Sequence, residues 1–194
     1  MFSIFESIRR FLGLTTMKED TKWFFKQYEI VKIIIYKYLS LWFKQIFDMP
    51  EFKNMGFSED FYQTMSARVT HYLLGGDKDS IEGIKDKKII EEIKLANKHV
   101  EKWADDVLDK DKDLCELVVQ TLRMYSIFKS YLYEIEGVDN GNQKFLKSKE
   151  GERITYILLK HGNKIPTSPN PRRYSILISK WYLWLNFIKK RGIT

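Results

Sequence analysis

Apolar residues recur along this chain every three or four positions, in blocks separated by short polar or Gly/Pro-marked breaks, and that spacing predicts helices. The first block is Phe2 to Leu14, where Ile4, Phe5, Ile8, Phe11 and Leu12 fall on one face and Ser3, Glu6, Arg9 and Arg10 on the other. The second opens on Thr16-Met17-Lys18-Glu19, a capping box, and runs to about Phe47, ahead of Pro50. Its polar positions, Lys22, Lys26, Glu29, Lys37, Ser40 and Lys44, form one narrow stripe, and nearly everything else is apolar. A helix apolar over most of its circumference is covered on several sides, by its own domain, by a second subunit or by lipid.

The third helix starts with Ser58 as N-cap and is expected to end at Gly75-Gly76, with Phe57 and Tyr62 placed for a hydrophobic staple. The fourth, from about Asp86 to Leu108, repeats apolar residues at Ile89, Ile93, Ala96, Val100, Trp103 and Val107. The fifth, from about Asp113 to Ile135, does the same with Leu114, Leu117, Val118, Leu122, Tyr125, Phe128 and Leu132. The short turn between them predicts an antiparallel helical hairpin. Asp139 to Asn142 reads as a linker to a sixth helix, from near Ser148 to Gly162. Three of the four prolines then interrupt the chain before a last, strongly apolar helix from about Pro171 to Arg191. The expectation is all-α: a single bundle of about six or seven helices over residues 17–194, preceded by an amphipathic N-terminal helix over 1–16.

Composition adds little to the fold but sharpens the choice of partner. The net charge of +7 is uneven, since residues 142–194 hold 12 Lys and Arg against 2 Asp and Glu. A basic end attracts nucleic acid, anionic lipid or an acidic protein, or it pairs with the acidic middle of the same chain. The single Cys115 forms no internal disulfide, so nothing calls for an oxidising compartment. No run reaches the eighteen or so apolar residues of a spanning helix. A cytoplasmic location, the cytosolic face of a membrane, or the inner membrane itself fits these observations.

Candidate chemistry is sparse. The sequence has no phosphate-binding Gly loop, no paired Cys, no zinc-protease motif and no nucleophile elbow, and it calls for no cofactor or metal. Asp109-Lys110-Asp111-Lys112-Asp113 starts like a calcium loop, but Leu114 stands where a Gly is needed and Gln120 where a Glu is needed. The Asp77/Asp79 pair fails similarly. His99 lies between charged residues, and His71 shares a helix face with Arg68. His161 closes the sixth helix, which also carries Arg153. An Arg and a His set together grip an RNA phosphate and assist its cleavage, or else Arg153 pairs with an acidic neighbour and His161 caps its helix.

The stretch Glu152 to His161, with its Arg and terminal His, resembles a stretched form of the Arg-x4–6-His motif of HEPN domains, here with seven intervening residues. That family consists of all-α bundles, usually dimeric, that cut RNA. Size, amphipathic start and long hydrophobic helix are similar to degenerate HEPN-like members that serve as membrane-associated accessories of RNA-targeting CRISPR defence. The resemblance implies Arg153 and His161 as catalytic residues if the chain is a ribonuclease.

Three functions follow as expectations. The first is a non-enzymatic, self-associating helical protein at a membrane, a pore-like or accessory component of antiviral defence. Here Ile4, Phe5, Ile8, Phe11 and Leu12 meet lipid, and Ile34 and Trp42 meet another copy. The second is a basic HEPN-like module that binds or cuts RNA. The third is an adaptor or inhibitor of a larger effector protein.

Overall fold

The computed structural model describes residues 8, 9, 12, 14–73, 81–135, 141–162 and 174–191. Among them are eight helices and no strand: α1 Met17–Asp48, α2 Pro50–Lys53, α3 Glu59–Leu73, α4 Lys87–Lys110, α5 Lys112–Ile135, α6 Gly141–Leu146, α7 Lys149–Gly162 and α8 Tyr174–Lys190. The all-α expectation is met. The ends of the long helices fall within a few residues of the predicted ones because local chemistry sets them. At the start of α1, the Glu19 amide donates to Thr16 Oγ1 at 3.3 Å and the Thr16 amide donates to Glu19 Oε2 at 2.7 Å. Ser58 Oγ accepts from the Phe61 amide at 3.3 Å, and Asp86 Oδ1 accepts from the Lys88 amide at 2.8 Å.

Two short helices, α2 and α6, escape prediction because four or six residues carry too little periodicity to register. One boundary is corrected: Gly141 and Asn142 belong to α6, not to a linker. Gly75, Gly76, Gly137, the Asp77/Asp79 pair and the proline-rich stretch 163–173 lie outside the described residues, as do Ile4, Phe5 and Phe11.

Two helices form the centre. α5 packs against α1, α4, α6, α7 and α8, while α1 also packs against α3 and α4. The inward face of α1 presents Phe24, Tyr28, Val31, Ile35, Tyr38, Trp42 and Ile46, spaced by threes and fours, all buried. α5 is covered around most of its girth, down to Thr121, Ser126 and Ser130. Rings join the elements: Phe24 stacks on Phe128 at 5.2 Å between α1 and α5, and Phe52 meets Trp103 at 5.3 Å between α2 and α4. Phe57 stacks on Phe61 at 4.3 Å, closer than its expected staple partner Tyr62 at 6.5 Å.

Asp111 is the single residue between α4 and α5. It closes the first with its amide, bonded to Val107 O, and opens the second with its carboxylate, which accepts from the Leu114 amide at 2.9 Å. Gln45 on α1 donates to the same carboxylate at 2.8 Å. The acidic turn that looked like a calcium loop is thus a helix junction.

Candidate functional site

α4 and α7 lie side by side in parallel register, with Arg153 beside Glu101, Tyr156 beside Asp105 and Lys160 beside Asp109. On α7, Ile154, Ile157 and Leu158 face the core, which turns Arg153, Tyr156, Lys160 and His161 toward α4. They meet on one carboxylate. Arg153 Nη2 is 3.7 Å from Asp105 Oδ1, with the two side chains 8% and 10% exposed. Tyr156 donates to Asp105 Oδ2 at 2.9 Å, and Lys160 Nζ lies 3.5 Å from both Asp105 and Asp109. His161 Nε2 is 3.5 Å from Asp105 Oδ1, and its Nδ1 is 3.4 Å from Asp109 Oδ1.

The resemblance-implied pair, Arg153 and His161, is therefore brought together, but around an acidic partner that already engages both. The His161 side chain is 4% exposed and has a carboxylate at each ring nitrogen. Arg153 also reaches Glu101 O at 3.4 Å and stacks over the Tyr156 ring at 5.0 Å. The hydrogen bond to Asp105 raises the Tyr156 phenol above its usual range. Burial alone would lower the Lys160 ammonium, but Asp105, Tyr156 and Asp109 outweigh it and raise it. A groove of about 720 Å³ runs along this contact, lined by Lys102, Asp106, Lys149, Glu152, Tyr156 and Lys160 among others. Its charges are balanced, and chemically the cluster is a cross-link between α4 and α7.

Asp105, Tyr156 and Lys160 were not singled out from the sequence, and Asp109 was read only as the start of a failed calcium loop. One signal was available: Asp105 stands inside the apolar seam Val100, Trp103, Val107 of α4, where an unpaired carboxylate would be costly. The other histidine with a described side chain, His99, is exposed and stacks on Trp103 at 5.2 Å. Cys115 is partly exposed, and burial pushes its thiol up. Among the described residues no group of three or more His, Cys, Asp or Glu could hold a metal ion. Nor, among them, is any helix long and apolar enough to cross a membrane.

The residues expected to meet another copy, Ile34 and Trp42, are covered by the chain's own helices, and Trp42 Nε1 donates to Ala104 O on α4 at 3.0 Å. What α1 leaves open is a different set: Phe25, Ile30, Ile33, Tyr36 and Leu41, with Ile33 69% exposed. Lys22, Lys26, Lys37 and Lys44 are exposed on the same side. Of the residues expected to meet lipid, Ile8 and Leu12 are exposed, and Arg9 beside them lies 3.9 Å from Glu19 in the first turn of α1.

No protein-family model, no curated protein and no solved structure matches this chain. Its class is that of an all-α bundle with a cross-linked α4–α7 seam and an open, mixed apolar and basic face on its longest helix.

Proposed function

We propose that the chain is a non-enzymatic helical protein that acts at a membrane surface, with the outer face of α1 as its contact. The observation that carries this reading is the set of five large apolar side chains, Phe25, Ile30, Ile33, Tyr36 and Leu41, left open along a 32-residue helix whose other side is the core. Exposed apolar side chains that flank a central run of lysines, with Ile33 among them, mark an interaction surface. Ile8 and Leu12 at the entrance to α1 add apolar surface of the same kind. The saturated state of Asp105 supports a non-enzymatic role, since the His161 ring is closed off between two carboxylates.

Liposome flotation of the full chain tests the proposal. Full-length protein floats with vesicles of mixed phosphatidylcholine and phosphatidylserine, and Phe25→Ser with Ile33→Ser together reduces the floated fraction. Protein that stays at the bottom of the gradient with every vesicle would sink the reading.

A second reading, an RNA-cleaving module, draws on the convergence of Arg153 and His161 beside the α4–α7 groove. Single-stranded RNA incubated with the wild type, Arg153→Ala and His161→Ala chains tests it. Cleavage by the wild type alone would support this reading.

A further inference from the structure

We infer that the outer face of α1 selects anionic phospholipid headgroups and lies along the bilayer plane, an inference that rests on the membrane reading above. The arrangement of charge within the face is what points there. Between Thr21 and Phe47, α1 carries five lysines and one carboxylate, Glu29, and that carboxylate is held by Lys32 at 2.6 Å. Lys32 also sits 5.2 Å over the Tyr28 ring, so it is drawn toward the core side and leaves Lys22, Lys37 and Lys44 as the outward cations. They span about 33 Å of helix.

At about 100° per residue, Ile33 lies at the centre of the open arc, Phe25 and Tyr36 on one edge, and Ile30 and Leu41 on the other. These three lysines fall inside that same arc, around Ile33. A helix that sinks into neutral lipid by apolar contact alone keeps its charges on the opposite face. Here no orientation buries Ile33 without bringing the lysines to the headgroups. Their butyl stems can lie along the apolar side chains while the ammonium groups reach phosphate and carboxylate oxygens. Neutral headgroups give those ammonium groups too little to offset their desolvation, whereas an anionic leaflet attracts each of them.

Two other occupants fit the face less well. A second copy docked about a two-fold axis sets the patch against itself, lysines opposite lysines. A single-stranded nucleic acid gains from aromatic platforms and phosphate contacts but has no use for Ile30, Ile33 and Leu41.

The experiment compares flotation of the full chain with vesicles of phosphatidylcholine alone and with vesicles containing about one-quarter phosphatidylserine. The protein is expected to float with the second and not the first, and to be released when salt rises from about 0.1 M to about 0.5 M. Lys37→Gln with Lys44→Gln should weaken apparent binding about thirtyfold, since each lysine near an anionic surface contributes a several-fold factor. Both side chains are exposed, so unchanged circular dichroism is expected of the variant, and Lys22→Gln serves as an independent second variant. Equal flotation with both vesicles would overturn the headgroup selection while leaving the membrane reading standing. No flotation with either would remove both. Salt-sensitive flotation unaffected by all three substitutions would move the contact away from α1 and overturn the inference. A dimer in light scattering that Ile33→Asp dissociates would give the face to a second copy, again overturning it.

Discussion

Arg153 on α7 and Asp105 on α4 form an ion pair at 3.7 Å in which both side chains are at least nine-tenths buried. A pair of this kind contributes little relative to an apolar replacement, but removing one member strands the other. Asp105→Ala leaves Arg153, Lys160 and His161 clustered without their shared carboxylate, so a loss of about 3 kcal/mol is expected. Arg153→Ala should cost less, about 2 kcal/mol, because Lys160 and Tyr156 still hold Asp105. Urea unfolding measures both. If Arg153→Ala matches the wild type in stability, the cross-link is not a structural element and the groove reading gains.

Trp42 gives a sharper test of where the second predicted helix is buried. Its indole fills the centre of the α1–α4 contact and donates to Ala104 O. Trp42→Asp is therefore expected to unfold the chain. Ile33→Asp, on the outward side of α1 at 69% exposure, should leave circular dichroism and melting temperature nearly unchanged. A folded Trp42→Asp chain with altered assembly would mean that the residue faces another subunit.

Asp111 supplies a pH dependence whose sign can be worked out. Its carboxyl is held below the usual range, first by the Leu114 amide and then by the Gln45 side chain. A lowered folded pKa contributes stability that is complete above the unfolded aspartate value of about 3.9 and is lost as pH falls through the folded value. Thermal melts from neutral to acidic pH should show this loss, and Asp111→Ala should make it shallower while costing about 1 kcal/mol at neutral pH. Identical acid limbs for the two chains would show that the cap is not coupled to folding.

Tyr38 should behave in the opposite way at high pH. Its hydroxyl is buried and has no hydrogen-bond partner among the described residues, and burial pushes its pKa up to about 12 despite the opposing charge of Arg191. A raised folded pKa contributes stability that is present below the unfolded tyrosine value of about 10 and is lost as pH rises toward the folded value. Tyr38→Phe removes an unsatisfied hydroxyl, so it should be neutral or stabilising by up to about 1 kcal/mol at pH 7, and it should blunt alkaline unfolding. A clear loss of stability in Tyr38→Phe at pH 7 would show that the hydroxyl has a partner.

Gly151 is required by a close approach. A Cβ there would lie 1.9 Å from the Phe145 carbonyl oxygen, where the chain turns from α6 into α7. Gly151→Ala should force α6 and α7 apart and cost about 3 kcal/mol or more, measured by chemical denaturation. A wild-type denaturation midpoint would show that the turn relaxes without cost.

The long helices were legible in the sequence because their determinants are local. Apolar spacing within α1, α4 and α5, the Thr16–Glu19 capping box and the cap at Ser58 act over a few residues, and each was found where expected. The polar stripe of α1 was equally legible, and it is the open side of the helix. What covers the apolar side was not. Periodicity sets Ile33 within the lysine stripe and Ile34 about 100° from it, but only the approach of α3, α4 and α5 from one side shows that this chain's own helices cover Ile34 while Ile33 stays exposed. The sequence also marked Arg153 and His161 as a pair but not their meaning. Their partner Asp105 is 48 positions before Arg153 in the chain, and only the parallel packing of α7 on α4 brings its carboxylate to both. Local hydrogen bonding and side-chain periodicity act within a helix and so are written in the chain, whereas the meeting of charges from two helices depends on how those helices pack.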